Sequence, residues 1–277
     1  MFDFDIFWKG WQALLSGQSP YTVPLFYSTP AFALLLSPLG LLPEIPAFIV
    51  WTLAQLSALV VMARRASLRL VLYLPVAFAV WMGQVDLLVL LAGWKGGWVG
   101  LALTTLKPQL ALWLLPWKFY EWHRQGRRAE IWKCLALAAG LNLLPVVVWP
   151  ALLPDFLRAG PSLWTYSEHA SSLFGLAAWL PLPVPVSFAL VVFLGAAAWW
   201  VIKPYPRDYW SFAALFNPVS NIYSLVVVLE SVDWVAVALS WLLLPVALST
   251  YSGAPWALIP VYLIARARVQ SSRRTQS

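Results

Sequence analysis

The sequence predicts an all-α, polytopic integral-membrane helical bundle, and three observations carry that reading. Of its 277 residues 61% are hydrophobic and 10% charged, with a mean hydropathy of +0.75, which is more apolar surface than one soluble core can hide. The long apolar runs are interrupted by prolines and single polar residues, so the chain reads as one transmembrane domain over 1–277, with an outer-face segment 1–29, a bundle 45–265 and a basic cytoplasmic tail 266–277. The cations cluster in short loops at Arg64, Arg65 and Arg69, from Lys118 to Lys133, at Lys203 and Arg207, and from Arg266 to Arg274. That is the positive-inside pattern, so the net charge of +7 marks cytoplasmic loops and speaks against nucleic acid as a partner. The bundle is expected to hold roughly 8–11 full or short transmembrane helices beside an N-terminal juxtamembrane amphipathic helix.

The elements follow in order. The opening MFDFDIFWKGWQALLSGQSPY places two acids before an aromatic amphipathic run, read as a helix at the outer interface that stops at Gly17. The acidic start lacks a basic n-region, so no cleavable signal peptide is read. Residues 45–63 form a span ending at the cytoplasmic Arg64 and Arg65, which puts Asp3 and Asp5 outside. Between 68 and 120, polar turns at Gly83 to Asp86, Trp94 to Gly97 and Leu106 to Gln109 favour four short spans, with Lys95 inside and Lys107 outside. Segment 131–153 leads out, 154–173 is an outer loop, and 174–202 returns. The Asn217–Pro218 break turns the chain outside, Glu230 and Asp233 fall inside, 234–248 leads out and 254–265 returns. Short helices cannot cross a ~30 Å hydrocarbon core alone, so this topology implies an outward-facing cavity floored by the polar turns.

Few residues there can do chemistry. One of Asp3 and Asp5 caps the first helix, a role that falls on Asp5 beside the first apolar residue, while Asp3 is placed to act as a general base at the cavity mouth. Asp86 and Lys107 are ionisable groups in apolar segments. They either pair with one another, or Lys107 faces a phosphate with Gln84 hydrogen-bonding nearby. His169 lies in an outer loop beside Glu168 with Arg158 upstream, and is either a solvated bystander or a catalytic or phosphate-binding group. His123 sits in a basic cytoplasmic loop and is read as bland. The single cysteine, Cys134, excludes an intrachain disulfide. The 19 tryptophans fit interfacial belts, with a few left as candidates for stacking on sugar rings. Two histidines and one cysteine are too few for an all-protein zinc site. A divalent cation held mainly by substrate phosphate leaves no sequence trace and stays open as a cofactor.

The motifs in sequence, DFDIFWKGWQALLSGQSPY, FYSTPAFALLLSPLGLLP, GQVDLLVLL and GWVGLALTTLKPQLALWLL, with a weaker FNPVSNIYSLVVVL, resemble glycosyltransferase family 87 in order and spacing over most of residues 3–229. The resemblance implies a GT-C-like membrane mannosyltransferase using a polyprenyl-phosphate sugar donor, with a glycan, glycolipid or protein as acceptor. It implies that Asp3 is the catalytic base, because Phe7, Gly17, Pro20 and Tyr21 keep the family register from it. Gln84, Asp86, Asn217, Asn221 and Tyr223 would line the cavity, with the donor phosphate near Lys107 and Arg158. In the late turn Asn221 stands where the family carries tryptophan, and Tyr223 where it carries histidine. Members ordinarily have a transmembrane helix ahead of the aspartate, so the expectation is a missing first helix or a compact relative. The alternative is a non-catalytic membrane protein, either an inactive relative or a transporter or flippase-like carrier of lipid-linked sugars, since broken helices with embedded charges suit carriers too.

Overall fold

The structure is a computed structural model that describes residues 2–63, 69–95, 97–159, 169–202, 209–217 and 221–274. Arg64, Arg65, Gly96, the loop residues 160–168 with Glu168, Lys203, Arg207, residues 218–220 of the Asn-Pro turn and residues 275–277 lie outside the described residues. Every regular element among the described residues is helical. The α-helices are α1 (Phe2–Leu15), α2 (Pro30–Leu36), α3 (Glu44–Ala63), α4 (Arg69–Leu72), α5 (Leu74–Met82), α6 (Asp86–Lys95), α7 (Gly97–Leu103) and α8 (Pro108–Arg124). They continue as α9 (Arg128–Val148), α10 (Leu152–Ala159), α11 (Leu173–Ala177), α12 (Val184–Ile202), α13 (Tyr209–Leu215), α14 (Trp234–Leu242), α15 (Leu244–Thr250) and α16 (Leu258–Arg274). Tight 3-10 turns occupy Pro20–Thr22, Ser37–Leu41, Thr104–Leu106, Ile222–Ser231 and Ala254–Ala257.

Among the described residues two helices are long and apolar enough to cross a membrane, Glu44–Met62 with 19 residues and Arg128–Val148 with 21. The pair α5 and α6, bent by 113° at the Gly83–Val85 break, adds a third if the two halves are one span. Both long helices keep large apolar side chains on the outside, Leu53 and Val147 among them. Such contiguous apolar surface is unfavourable in water.

The chain divides into two compact units, Met1–Met62 with Ala79–Leu163, and Ala63–Phe78 with Trp164–Ser277. In the first, α1 presents Phe4, Phe7, Trp11 and Leu14 along one buried stripe at helical spacing. Phe4 meets Phe48 at 5.2 Å between ring centroids, Phe7 meets Phe32 at 5.0 Å and Trp11 meets Trp51 at 5.9 Å. The stripe of the amphipathic helix is therefore covered by α2 and α3. Burying a side chain such as Phe4 contributes roughly 1.5–3 kcal/mol. The helix stops as its sequence asks: Gly17 is left-handed at φ 78°, its N–H donates to Leu14 and that of Gln18 to Ala13, a Schellman ending.

In the second unit, Ser240 of α14 accepts from the Leu74 N–H at 3.2 Å, and its carbonyl accepts from the Trp256 indole at 3.1 Å. Asp233 caps α14 through the Ala236 N–H, pairs with Arg266 at 3.1 Å and accepts from the Tyr262 hydroxyl at 2.7 Å. The start of α14 is thus tied to α16.

Several sequence expectations are corrected. Asp5 does not cap the first helix: α1 already begins at Phe2, and Asp5 forms an i,i+4 ion pair with Lys9 at 2.7 Å. The segment 174–202 is α11 and α12 rather than one helix, because Pro181 and Pro183 interrupt it. Likewise 234–248 divides into α14 and α15 just ahead of Pro245. The basic tail is helical through Arg274, as part of α16.

Candidate functional site

The site grows out of the break between α5 and α6. Where two helices meet at 113°, the last carbonyls of the first lose their intrahelical partners and must find others. Here the turn satisfies two of them itself, Ala79 accepting from the Gln84 N–H at 2.9 Å and Val80 from the Gly83 N–H at 3.2 Å, and α3 supplies further donors. The Trp51 indole donates to the Gly83 carbonyl at 2.7 Å. The buried amide of Gln55, oriented to satisfy its surroundings, donates from Nε2 to the carbonyls of Ala79 at 3.2 Å and Gln84 at 2.6 Å, while its Oε1 accepts from Trp51 at 3.1 Å. Gly83 is left-handed at φ 75°, and a Cβ there would stand 2.5 Å from the Cβ of Phe4. The turn is therefore pressed against the first turn of α1, next to Asp3.

The second strand of the site is the Thr104–Lys107 turn. Lys107 precedes Pro108, the first residue of α8, and at φ −126° and ψ 85° it stays out of the α region that a following proline disfavours. The turn is held from both sides. The Thr29 hydroxyl donates to the Leu106 carbonyl at 3.2 Å while capping α2, and Asn142 of α9 donates to the Thr105 hydroxyl at 2.9 Å.

These two turns and α1 bring four of the expected residues into one line. Asp86, in the first turn of α6, pairs with the Lys107 ammonium. Lys107 also donates to Gln84 Oε1 at 3.2 Å, and Gln84 Nε2 donates to Asp3 Oδ2. Asp86 at one end is fully enclosed, Lys107 and Gln84 between are 7% and 5% exposed, and Asp3 at the other end is half-buried. Asp3 is thus the most exposed member of the line. Asp86 Oδ1 is enclosed with no hydrogen-bond partner among the described residues. Burial pushes the Asp3 carboxyl above the ordinary aspartate range, opposed by the Gln84 hydrogen bond and the charge of Lys107 and reinforced by Asp86. A carboxylate so tuned accepts a proton more readily than a solvated aspartate.

The remaining candidates have other partners. Arg158 lies on α10 in the first unit, largely exposed and paired with Asp155 at 2.8 Å. His169, Asn217, Asn221 and Tyr223 belong to the second unit. There His169 Nδ1 is 2.8 Å from the Tyr251 carbonyl, the Asn217 carbonyl accepts from Ser172 at 2.8 Å, and Asn221 Nδ2 donates to the Tyr223 hydroxyl at 2.5 Å. No three His, Cys, Asp or Glu residues group as a metal donor set among the described residues.

Sequence reasoning missed the residues that hold the site in place, Trp51, Gln55, Thr29 and Asn142. A signal existed for two of them, because Gln55 and Asn142 are single polar residues inside long apolar runs. Comparison with protein families, with curated proteins and with solved structures yields no match.

Proposed function

We propose that the protein is a polytopic membrane protein that transfers a hexose, in the first place mannose, from a polyprenyl-phosphate donor to an acceptor hydroxyl at the extracytoplasmic face. The N-terminal segment lies outside in this reading and the C-terminal basic residues in the cytoplasm. The observation that carries it is the half-buried Asp3 carboxylate backed by the Gln84–Lys107–Asp86 line. The order of the motifs that resemble glycosyltransferase family 87 supports it as well.

The chemistry follows from those groups. The acceptor oxygen attacks the anomeric carbon and its proton passes to Asp3. The new C–O bond forms as the bond from the anomeric carbon to the phosphate oxygen breaks, and the lipid phosphate leaves with the electron pair, inverting the anomeric centre. The Lys107 ammonium, the buried cation of the site, favours negative charge developing on the phosphate side. A divalent cation held by the donor phosphate remains an open addition to this scheme.

The test is sugar transfer in liposomes containing the purified protein and defined polyprenyl-phosphate hexoses. Asp3→Asn is expected to lower kcat by roughly 10²–10⁴-fold, the usual worth of a general base. Transfer at the wild-type rate by that variant would remove the base assignment, and no transfer from any lipid-linked hexose would remove the reaction. The sharp α5–α6 bend also suits a carrier of lipid-linked sugars. A carrier would move donor between leaflets without consuming it, which the same liposomes detect.

A further inference from the structure

The line of side chains behind Asp3 has a direction. Lysine offers donors only, so the Gln84 amide must turn its oxygen to the Lys107 ammonium. Its NH2 then faces Asp3, and the opposite orientation would set N–H groups against an ammonium. Asp86 fixes Lys107 from behind, fully enclosed. The backbone of Gln84 is fixed too, because its carbonyl accepts from Gln55 at 2.6 Å and Gly83 ahead of it is held by Trp51.

We infer that Gln84 is a positioning residue: the Asp86–Lys107 pair locks its amide so that the NH2 is presented to Asp3, which orients that carboxylate and favours its ionised form. A donor amide bonds an ionised carboxylate about twice as strongly as a neutral acceptor, so a locked amide favours the proton-accepting form. The lock works against burial, which favours the protonated form of Asp3. The other charges that act on Asp3 are Lys107, Asp86 and the chain's α-amino group. On its own helix Asp5 and Lys9 neutralise each other, and Glu44 at the start of α3 acts on Lys9. The covering α2 and the Ser37–Leu41 turn bring no titratable group, and Tyr21 of the Pro20–Thr22 turn donates to the Ser28 carbonyl.

Only the kinetic part of the test rests on the transfer reading. The first measurement is an infrared titration of the Asp3 carboxyl in the purified full-length protein without donor, assigned by difference against Asp3→Asn. Gln84→Met keeps the side-chain length and removes the amide. Its Asp3 midpoint is expected about 1 to 2 pH units above wild type, the worth of one hydrogen bond to a charged group. An unmoved midpoint overturns the inference. Should Gln84→Met fail to fold, Gln84→Leu decides. It removes the amide and leaves the Lys107 and Asp86 charges in place, so an upward shift reports the lost hydrogen bond and an unmoved midpoint again overturns the inference. In the transfer assay the acid limb of kcat/KM should rise by the same amount in Gln84→Met. A uniform loss of rate with the limb unmoved overturns the positioning role. If no lipid-linked hexose is transferred at all, the transfer reading fails while the infrared midpoint still decides the role of Gln84.

Discussion

Trp51 of α3 donates its indole N–H to the Gly83 carbonyl, 2.7 Å away, at the point where α5 and α6 meet at 113°. The bond closes a carbonyl freed by the break, and the same indole is the donor that Gln55 Oε1 accepts at 3.1 Å. Trp51→Phe keeps the ring packing and removes the donor. It is expected to cost about 1–3 kcal/mol, because a buried acceptor is left unmade. Equilibrium unfolding in detergent measures it.

Two left-handed glycines separate backbone strain from crowding. Gly17 at φ 78° has nothing within 4 Å of an added Cβ, whereas at Gly83, φ 75°, the Cβ would stand 2.5 Å from that of Phe4. Gly17→Ala should cost only the left-handed penalty, ~1–2 kcal/mol. Gly83→Ala should cost clearly more, and it alone should lower sugar transfer, since Phe4 is the neighbour of Asp3. Equal losses of stability in the two variants would remove the close approach of Phe4 from the account.

The Asp86–Lys107 pair is enclosed, with side-chain exposures of 0% and 8%. Lys107→Met strands a buried carboxylate and is expected to destabilise by ~3–5 kcal/mol, while the paired variant Asp86→Leu with Lys107→Met should recover most of that loss. A double-mutant cycle of unfolding free energies reads the difference. Additive losses would mean that the two side chains do not depend on each other.

The Asp3 carboxyl titrates above the ordinary aspartate range because of burial, and two pH effects follow. Proton acceptance needs the ionised form, so transfer activity should fall on acidification at a higher pH than a solvated aspartate would give. For stability, the neutral form is favoured in the folded protein. Asp3 carries no penalty below its unfolded pKa, and stability is lost as pH rises through the folded pKa. Asp3→Asn should therefore be the more stable protein at neutral pH, with the gap closing in acid. A gap that stays constant with pH would assign the difference to packing instead.

The proposed topology is checked by thiol labelling in intact cells. Cys134 is the one cysteine and is buried, so Cys134→Ser provides a blank background. Lys9, with its side chain 56% exposed, should be labelled from outside as Lys9→Cys. Gln125→Cys, in the turn between α8 and α9, should react only after the membrane is opened. The reverse pattern would invert the protein in the bilayer and place Asp3 on the cytoplasmic side.

Much of the fold was legible in the sequence because helices are local objects. The aromatic amphipathic run gave α1, Gly17 its end, and the polar turns at Gly83 to Asp86 and at Lys107 the ends of short helices. Asp5 was misread because a first-turn acid and a capping acid look alike in one dimension, and only the helix start tells them apart. The prolines that divide 174–202 and 234–248 were in view, but an apolar run does not say whether a proline bends a helix or ends it.

By itself the sequence determined an all-helical, strongly apolar chain with few polar residues, and it marked Asp3, Gln84, Asp86 and Lys107 among them. Only the tertiary structure decided how these four connect. Gln84 reaches Asp3 across 81 positions, and Lys107 turns to Asp86 and Gln84 across 21 and 23. Such contacts depend on where the chain bends and on what satisfies the carbonyls a bend sets free. Here those partners are Trp51 and Gln55 on α3, side chains whose role no local periodicity can report.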